Sequence, residues 1–458
     1  MNYHNALKSA TIDAAIIPVR LVIDTPQLPD PETACVAIIG LGYVGLPLLS
    51  GFAKNAKTVG FDIDEKKLSA LRHCEDVTGQ VTAVDLAQAN IDFTSDATAL
   101  READVILVCV PTPVDYSNRP DYGPLLAASR TIGENLKRGA VVIFESTVDP
   151  GTTEDRCLPV LTQASSMIEG VDFHIAYSPE RVSPGEQSRR VTDIKKIISA
   201  RSTHVLDFME PLYARVVKAG LFRATSIRVA EAAKILENTQ RDVNIALVNE
   251  MMQLFDAQGI RVSEVLAAAG SKWNFHAYFP GLVGGHCISV DPFYLLNSGR
   301  AHGLSMEVVA AARATNERTA YFLADKVTDM LAAKKQKLRG AKVLVLGRAF
   351  KDNCPDIRNS KAFSVMDTLW NRGADVYSFD PVADDDHFEG GRGAVILDDI
   401  EAGGPYDAIV VTAAHDVFKE QLDLATLEAL AKRGAPLVDL RRLYDIEGSG
   451  DHFSYWAP

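Results

Sequence analysis

A glycine-rich turn between an apolar strand and a helical pattern constrains the fold of this chain more than any other feature. The apolar, β-branched run at residues 36–39 leads directly into Gly40-Leu-Gly-Tyr-Val-Gly45, and a helical pattern begins at Leu46. In such a strand, turn and helix, the first glycine makes the turn, the second lets backbone approach a pyrophosphate, and the third allows close helix-to-strand packing. The segment therefore predicts a parallel α/β sheet with a dinucleotide site at Gly40, Gly42 and Gly45.

The identity of the dinucleotide is indicated by the next predicted strand. This strand, residues 58–61, ends at Asp62, which is 22 residues after Gly40. A carboxylate there can accept hydrogen bonds from ribose hydroxyls and would repel a 2′-phosphate, so NAD is favoured over NADP. Lys67 is expected near the same adenosine side, where its positive charge would weaken the preference for NAD over NADP.

Length and composition limit the class of protein. At 458 residues the chain is too long for a single growing core, so two or three domains are expected. With 47% hydrophobic and 23% charged residues, it has the composition of a soluble globular protein. A net charge of -13 argues against nucleic acid or an anionic membrane as partner, but allows a local basic pocket for a phosphorylated small molecule.

Cysteine usage and hydropathy bear on the compartment. The six cysteines include no Cys-x-x-Cys pair, which favours a reduced cytoplasmic protein without a disulfide framework or a metal site. No apolar run reaches the length of about 18 residues that a membrane helix requires. We predict a cytoplasmic protein with a loosely specified N-terminal arm over residues 1–32.

Polar residues follow three further predicted strands of the first sheet. Strands at 104–110 and 140–144 lead to Thr112 and Thr147, where a ligand of an open parallel sheet would lie. Turn or cap chemistry explains both threonines equally well. The next strand, 171–176, brings Glu180 to the same rim, although a lone loop glutamate is usually solvated.

One long helix is predicted from Ile227 to about Gln258, with Gly259 as its cap. Part of one face is polar, and it is either a solvated stripe or the wall of a cavity. Asparagine is a poor interior helix residue, which favours the cavity, and the length suits a connector or a dimer interface. The residues that share this face are Lys234, Asn238, Arg241 and Ile245.

A second glycine-rich loop, residues 279–294, carries a thiol. Cys287 follows Gly284 and Gly285, so little side-chain bulk screens its sulfur, and Asp291 lies four residues further on. The loop is either a reaction centre or a tight turn with a buried cysteine. A nucleophilic role requires partners from elsewhere in the fold.

A second α/β unit follows an exposed basic linker at 334–339. Its predicted strands begin at Lys342, Ala374, Ala408 and Leu437, and they indicate another parallel sheet. This unit lacks the three-glycine pattern, so its expected ligand is a mononucleotide rather than a second dinucleotide. The loop at 350–360 presents Lys351 and Arg358 as candidates for phosphate contacts, or is simply a charged connection.

Taken in order, these motifs resemble the UDP-glucose/UDP-N-acetylmannosamine dehydrogenase family over residues 35–439. Segments 237–244, 272–275, 280–288 and 353–361 look most like the branch that oxidises UDP-N-acetylglucosamine or UDP-N-acetylgalactosamine for Vi-type and O-antigen polysaccharides. Three positions depart from the family pattern. Ser271 and Ser289 would alter the pocket, and Pro184 replaces a second glutamate of the UDP-glucose branch, which argues against UDP-glucose.

The resemblance implies an α/β fold with two Rossmann-like doubly wound parallel-sheet domains, joined by a long central helix and a helical domain. The implied limits are 33–226 for the NAD domain, 227–335 for the central domain with the cysteine loop, and 336–458 for the UDP-sugar domain. It also implies a homodimer formed through the central helix.

The implied reaction is an oxidation of the carbon-6 alcohol to a carboxylate in two steps, with two NAD consumed and Cys287 holding a thiohemiacetal and then a thioester. His286 is assigned only a role in shaping the loop. The implied catalytic residues are Cys287, Lys234, Asn238, Asp291, Glu180 and Thr147. Those implied for the cofactor are Gly40, Gly42, Tyr43, Val44, Gly45, Asp62, Lys67, Thr112, Thr147 and Arg358. Those implied for the substrate are Glu180, Arg181, Lys234, Asn238, Arg241, Gly281, Gly285 and Lys351.

Two other readings stay open. A one-step hydroxyacid or 6-phosphogluconate-type dehydrogenase also uses a helical lysine and asparagine, but needs no thiol. A catalytically silent nucleotide-sugar-binding protein would be expected to have a broken site, whereas Cys287, Lys234, Asn238 and Asp291 are all present.

Overall fold

The computed structural model describes residues 26–54, 56–182, 191–383, 393–444, 446 and 452–458. Most of the predicted N-terminal arm and the departure at Pro184 lie outside these residues.

The N-terminal half forms an eight-stranded sheet in the order β3-β2-β1-β4-β5-β6-β7-β8. Its strands are β1 Val36–Ile39, β2 Thr58–Phe61, β3 Ile91–Thr94, β4 Val105–Val108, β5 Val141–Phe144, β6 His174–Tyr177, β7 Lys196–Ala200 and β8 Leu221–Arg223. Its helices are α1 Gly45–Ala53, α2 Glu65–Arg72, α3 Ala83–Gln88, α4 Gly123–Glu134, α5 Leu158–Ser165 and α6 Thr203–Ala214. The chain runs outward from β1 to β3 and then returns to β4, so the switch in strand order lies at the carboxyl end of β1. That is where a doubly wound sheet binds its ligand.

The predicted parallel pairing needs one correction. Strands β1 to β6 are parallel to their neighbours, but β7 pairs antiparallel with β6, through Ala176 with Ala200 and Tyr177 with Ser199. Parallel neighbours are usually joined by a helical crossover, but the described parts of this connection, residues 178–182 and 191–195, contain no α-helix.

Four helices follow, namely α7 Ile227–Ala257, α8 Val262–Gly270, α9 Asp291–Ala301 and α10 Glu307–Ala333. The Ser226 side chain caps α7 by accepting a hydrogen bond from the Val229 amide, and Gly259 follows the helix end with φ +72°. The predicted helix is confirmed to within a residue at each end. Its first turn packs in the core of the first sheet, through Ile227 and Ala230, whereas Val248 and Met252 pack in a core shared with the second sheet.

The C-terminal half forms a six-stranded parallel sheet in the order β11-β10-β9-β12-β13-β14. Its strands are β9 Lys342–Leu346, β10 Asp375–Phe379, β11 Ala394–Ile396, β12 Ala408–Val411, β13 Ala435–Asp439 and β14 Phe453–Trp456, and its helices are α11 Lys361–Asn371, α12 Asp416–Gln421 and α13 Leu424–Leu430. Its strand order switches at β9, and the loop at 350–360 follows that strand. Two Rossmann-like sheets, with helices between them, confirm the predicted fold class. Among the described residues, no helix combines the length and the apolar character that crossing a membrane requires.

Candidate active site

The glycine turn after β1 has the geometry that its sequence predicts. Gly40 has φ +91°, and a Cβ on it would lie 2.8 Å from the Cys109 carbonyl oxygen. A Cβ on Gly45 would lie 2.0 Å from the Gly40 carbonyl oxygen, so α1 can start only because that side chain is missing. A Cβ on Gly42 would meet no atom within 4 Å. The space above Gly42 is therefore open to a ligand, which fits a pyrophosphate brought close to backbone.

Asp62 lies at the end of β2, beside this turn. Its carboxylate accepts hydrogen bonds from the Leu41 amide at 2.8 Å, the Lys67 ammonium at 2.8 Å and the Asp64 amide at 3.0 Å. Burial opposes ionisation, but these three donors outweigh it and lower the pKa of Asp62. The structure thus places an ionised acid and Lys67 together, as the sequence suggested for the adenosine side.

Three predicted catalytic side chains are buried together where α7 meets α9. Lys234 and Asn238 lie one turn apart on α7, and Asp291 is the first residue of α9. The Asn238 side-chain amide donates to the Asp291 carboxylate at 2.5 Å. Burial raises the pKa of Asp291 to about 6, with Lys234 and Asn238 opposing the shift. The polar face of α7 is a buried wall at these two positions, although Arg241 further along is exposed.

Cys287 is half-buried in the loop that ends at α9. Burial and the Asp291 carboxylate raise the pKa of its thiol, whereas Lys234 and Arg241 lower it. These charges act on the sulfur, so the loop brings the thiol to the lysine, asparagine and aspartate set. The nucleophilic role of Cys287 stays a prediction.

The glycines before Cys287 let the loop pack on the C-terminal half. A Cβ on Gly284 would lie 2.6 Å from the Asn359 carbonyl oxygen, and one on Gly285 would lie 2.7 Å from the Phe350 ring. The Ser289 hydroxyl donates to the Gly285 carbonyl at 2.6 Å, so this departure from the family pattern closes the loop. Ser271, the other described departure, is exposed at the end of α8.

The strand ends of the first sheet meet the cysteine loop. The Thr112 hydroxyl donates to the Thr147 carbonyl at 2.7 Å, which joins the segments after β4 and β5. The Tyr294 hydroxyl of α9 donates to the Thr112 carbonyl at 2.9 Å. Thr112 and Thr147 therefore lie together at the rim, and α9 is tied to that rim.

Glu180 is buried, which corrects the expectation that a lone loop glutamate is solvated. Its Oε1 accepts hydrogen bonds from the Arg181 and Val182 amides, both at 2.6 Å. Its Oε2 is buried, and no described residue donates a hydrogen bond to it. The ammonium of Lys196 lies 3.7 Å from that oxygen.

The residues predicted to bind substrate are more dispersed. The Arg181 guanidinium pairs with Glu237 at 2.7 Å. The Gly281 amide donates to Asn249, and its carbonyl accepts from the same side chain, both at 3.0 Å. The backbone of Gly281 is thus occupied within the protein, which leaves it a role in loop shape rather than an amide contact. Lys351 is partly exposed in the loop after β9.

The loop after β9 also reaches the glycine turn. The Arg358 guanidinium pairs with Asp356 at 2.7 Å and lies 5.9 Å from the centre of the Tyr43 ring. The His286 ring nitrogen Nε2 is 3.2 Å from the same Asp356 carboxylate. These contacts join the cysteine loop, the C-terminal half and the dinucleotide turn, whose last residue before α1 is Val44. The contact of His286 agrees with its predicted part in shaping the loop.

Several buried polar residues at the site had been given no role from the sequence. Glu231 of α7 accepts hydrogen bonds from the Gly151 and Thr153 amides, and burial raises its pKa to about 7. Lys196 and Glu145 lie behind Glu180, and Asp356 joins His286 to Arg358. The only available signal was Glu145 directly after a fully buried strand, since the others have no local pattern.

The structure links a dinucleotide turn to a cysteine loop, and this loop lies beside a buried lysine, asparagine and aspartate. This combination defines an NAD-dependent dehydrogenase. Models of the UDP-glucose/GDP-mannose dehydrogenase family match the chain as NAD binding domain at residues 34–217, as central domain at 228–318 and as UDP binding domain at 344–446. The chain belongs to this family, and it is a nucleotide-sugar dehydrogenase, as the resemblance implied.

Similar proteins and structures agree with this assignment. UDP-N-acetyl-D-glucosamine 6-dehydrogenases of Salmonella typhi and Pseudomonas aeruginosa are 40% and 42% identical, cover 90% of this chain, and are themselves covered over 97% and 98% of their lengths. The solved structure of the UDP-D-ManNAc dehydrogenase of Pyrococcus horikoshii has a TM-score of 0.83 at 31% identity, over 92% of this chain and 98% of that one.

Proposed function

We propose that this protein oxidises the carbon-6 alcohol of a UDP-N-acetylhexosamine, UDP-GlcNAc first among them, to the carboxylate with two NAD consumed. The observation that carries the proposal is the position of Cys287 one turn before Asp291, whose carboxylate accepts a hydrogen bond from Asn238. The charges of Lys234 and of buried Glu180 also act on the sulfur of Cys287. A single oxidation of an alcohol needs no thiol, whereas oxidation of an aldehyde to a carboxylate by hydride transfer is made easier by a covalent adduct.

The residues around the glycine turn fit the cofactor. Gly42 leaves room for the pyrophosphate, Asp62 offers an ionised acceptor for ribose hydroxyls, and the Arg358 guanidinium lies 5.9 Å from the centre of the Tyr43 ring in the same turn. Bound there, NAD supplies the hydride acceptor for both oxidations.

In the first oxidation, Lys234 and Asp291 handle the alcohol proton. Asp291 has a pKa of about 6, close enough to neutrality to exchange a proton directly or through water. Loss of that proton allows the hydride to leave carbon 6, and the product is an aldehyde.

In the second oxidation, the Cys287 thiol gives up its proton to water as its sulfur adds to the aldehyde carbon. Lys234 and the Asn238 amide, both buried, stabilise the oxyanion of the thiohemiacetal. Loss of a second hydride gives a thioester, and water, oriented by Thr147 with Glu180 as acid and base, hydrolyses it to the carboxylate.

The choice of sugar rests on the relatives. Two relatives that are 40% and 42% identical to this chain are named for UDP-GlcNAc. A relative named for UDP-N-acetyl-D-mannosamine is 34% identical over 392 residues. UDP-GalNAc and UDP-ManNAc differ from UDP-GlcNAc in single stereocentres, so they are the first alternatives, followed by UDP-glucose. The product would serve surface polysaccharide biosynthesis.

The test is the stoichiometry of NADH released with each of the four UDP-sugars. We expect two NADH per uronate and the highest kcat/KM with UDP-GlcNAc. One NADH per sugar, with aldehyde as the end product, would instead support a one-step hydroxyacid-type dehydrogenase. No NADH with any of the four sugars would contradict the proposal.

We also propose a homodimer through α7 in the cytoplasm. Four large apolar side chains of α7 are exposed, and their spacings of 7, 11 and 7 residues put them on one face: Val229, Leu236, Leu247 and Leu254. All six cysteines are free, as a reducing compartment requires. Sedimentation should show a dimer, and Leu247→Glu should shift it toward monomer. A monomer at micromolar concentration would contradict the dimer.

A further inference from the structure

Behind Glu180 lies a buried cluster of two carboxylates and one ammonium. The Lys196 ammonium of β7 is 2.6 Å from Glu145 Oε2 and 3.7 Å from Glu180 Oε2. All three side chains are at least nine-tenths buried. The Lys196 ammonium also donates to the Pro179 carbonyl at 3.2 Å, and the Tyr213 hydroxyl donates to Glu145 Oε1 at 2.5 Å.

The charges of this cluster do not cancel. With every group ionised it carries one net negative charge in a buried place, which is unfavourable. Burial raises the pKa of Glu145 to about 7, and the charge of Glu180 adds to the shift, while Lys196 and Tyr213 oppose it. Glu145 and Glu180 therefore compete for a single cation, and one carboxylate can hold a proton near neutral pH.

Other titratable groups also surround Glu180. Arg181 is paired with Glu237, the charge of Glu180 acts on the Cys287 thiol, and Lys195 is exposed beside Lys196. Cys109 has a thiol pKa raised well above its ordinary value by burial, so it stays neutral. Lys196 and Glu145 are consequently the charged pair that faces Glu180 from within the protein.

We propose that Lys196 and Glu145 are positioning residues that set the protonation state of Glu180 during hydrolysis of the Cys287 thioester. The inference rests on the proposed function. In this step a water O–H proton passes to ionised Glu180 while the water oxygen bonds to the thioester carbon. The carbon–sulfur bond then breaks, and Glu180 returns the proton to the sulfur, so that no electrons are exchanged with the cofactor. Lys196 favours the ionised, proton-accepting form of Glu180, and ionised Glu145 opposes it.

The test compares two substitutions with opposite electrostatic effects. Hydrolysis is followed in single turnovers as decay of the Cys287-bound adduct, by rapid quench and intact-protein mass, across a range of pH. In Glu145→Gln, the Lys196 ammonium has Glu180 as its one carboxylate partner in the cluster. The acidic limb of the pH–rate profile should therefore move to lower pH. In Lys196→Met, the two carboxylates lose their cation, and the limb should move to higher pH. Each shift should be about one pH unit or more.

Lys195→Met is the matched control, because it removes the same charge from the neighbouring, exposed position and should leave the limb in place. If Lys196 and Glu145 are merely structural, both substitutions should slow hydrolysis without moving the limb in opposite directions. That result would overturn the inference. If Lys196→Met does not fold, an unmoved limb in Glu145→Gln overturns it equally. Failure of the parent enzyme to form any Cys287 adduct or uronate would instead overturn the proposed function.

Discussion

At the scale of single residues, the site keeps ionisable groups where burial disfavours their charged forms. Asp291 is almost fully buried and has a pKa of about 6, although Lys234 and Asn238 both stabilise its ionised form. The protein thus gives up stability at neutral pH to hold a carboxyl group that can exchange protons there.

This cost can be measured with Asp291→Asn. Because folding raises the pKa of Asp291, the stabilisation from its protonated form is complete below about pH 4 and is lost as pH rises through about 6. The variant cannot ionise, so it should become more stable than the parent above pH 6, by at most about 3 kcal/mol, while losing activity. Thermal unfolding between pH 4 and 8 gives the difference. A difference in Tm that does not change with pH would contradict the assignment.

Some residues of the site could be predicted from the sequence, and others could not. Lys234 and Asn238 follow helical spacing, and Asp291 lies close to Cys287 in the chain, so local pattern was enough to find them. Lys196 and Glu145 are separated by 51 residues and pair only because β7 turns back beside β6. Such pairs depend on the strand order, which local pattern does not contain.

At the scale of elements, the dinucleotide turn was the most predictable feature, because each glycine has a separate steric reason. Both limits of β1 were predicted correctly, and the start of α1 was predicted to within one residue. Strands β3, β7, β8, β11 and β14 were not predicted. All but β7 are three or four residues long, have partly exposed side chains and lie at sheet edges, where the apolar pattern is weak. Strand β7 is buried inside the sheet, but the charges of Lys195, directly before it, and of Lys196, its first residue, hide the apolar run in the sequence.

The two glycines of the turn should respond differently to alanine. In Gly42→Ala the new methyl group meets no protein atom, so Tm should stay near the parent value while NAD binding weakens. In Gly45→Ala the methyl group collides with the Gly40 carbonyl, which should destabilise the protein by about 1–3 kcal/mol. Calorimetric titration with NAD and thermal unfolding separate the two effects. Unchanged NAD affinity in Gly42→Ala would refute the placement of the pyrophosphate.

At the scale of the whole molecule, the active site depends on contacts between the two halves. Helix α7 packs in the cores of both sheets, and Asp356 joins His286 of the cysteine loop to Arg358, which lies beside Tyr43 of the NAD turn. The two sheets and the connecting helix were predictable from alternation of patterns. The contact between halves was not, because it depends on their relative orientation. The domain limits at 226/227 and 335/336 stay predictions.

This connection predicts that Asp356→Ala impairs both functions of the site. Without the carboxylate, Arg358 and His286 lose their shared partner, so NAD affinity should fall roughly tenfold, the worth of a charge-assisted hydrogen bond, and kcat should fall as well. Asp325→Asn is the control, because it breaks a similar pair with Arg372 on the surface of α10. Steady-state kinetics with varied NAD measure both quantities. Parental kinetics in Asp356→Ala would contradict a link between the halves.

The central claim is that Cys287 forms the covalent intermediate, and the most direct test is product analysis of Cys287→Ser with the best UDP-sugar. Cys35→Ser is the control, since Cys35 lies at the amino end of β1, away from the carboxyl ends where the site forms. The control should give two NADH per uronate. Cys287→Ser should stall or release aldehyde, with at most one NADH per sugar. Uronate formed at the parental rate by Cys287→Ser would rule out covalent catalysis.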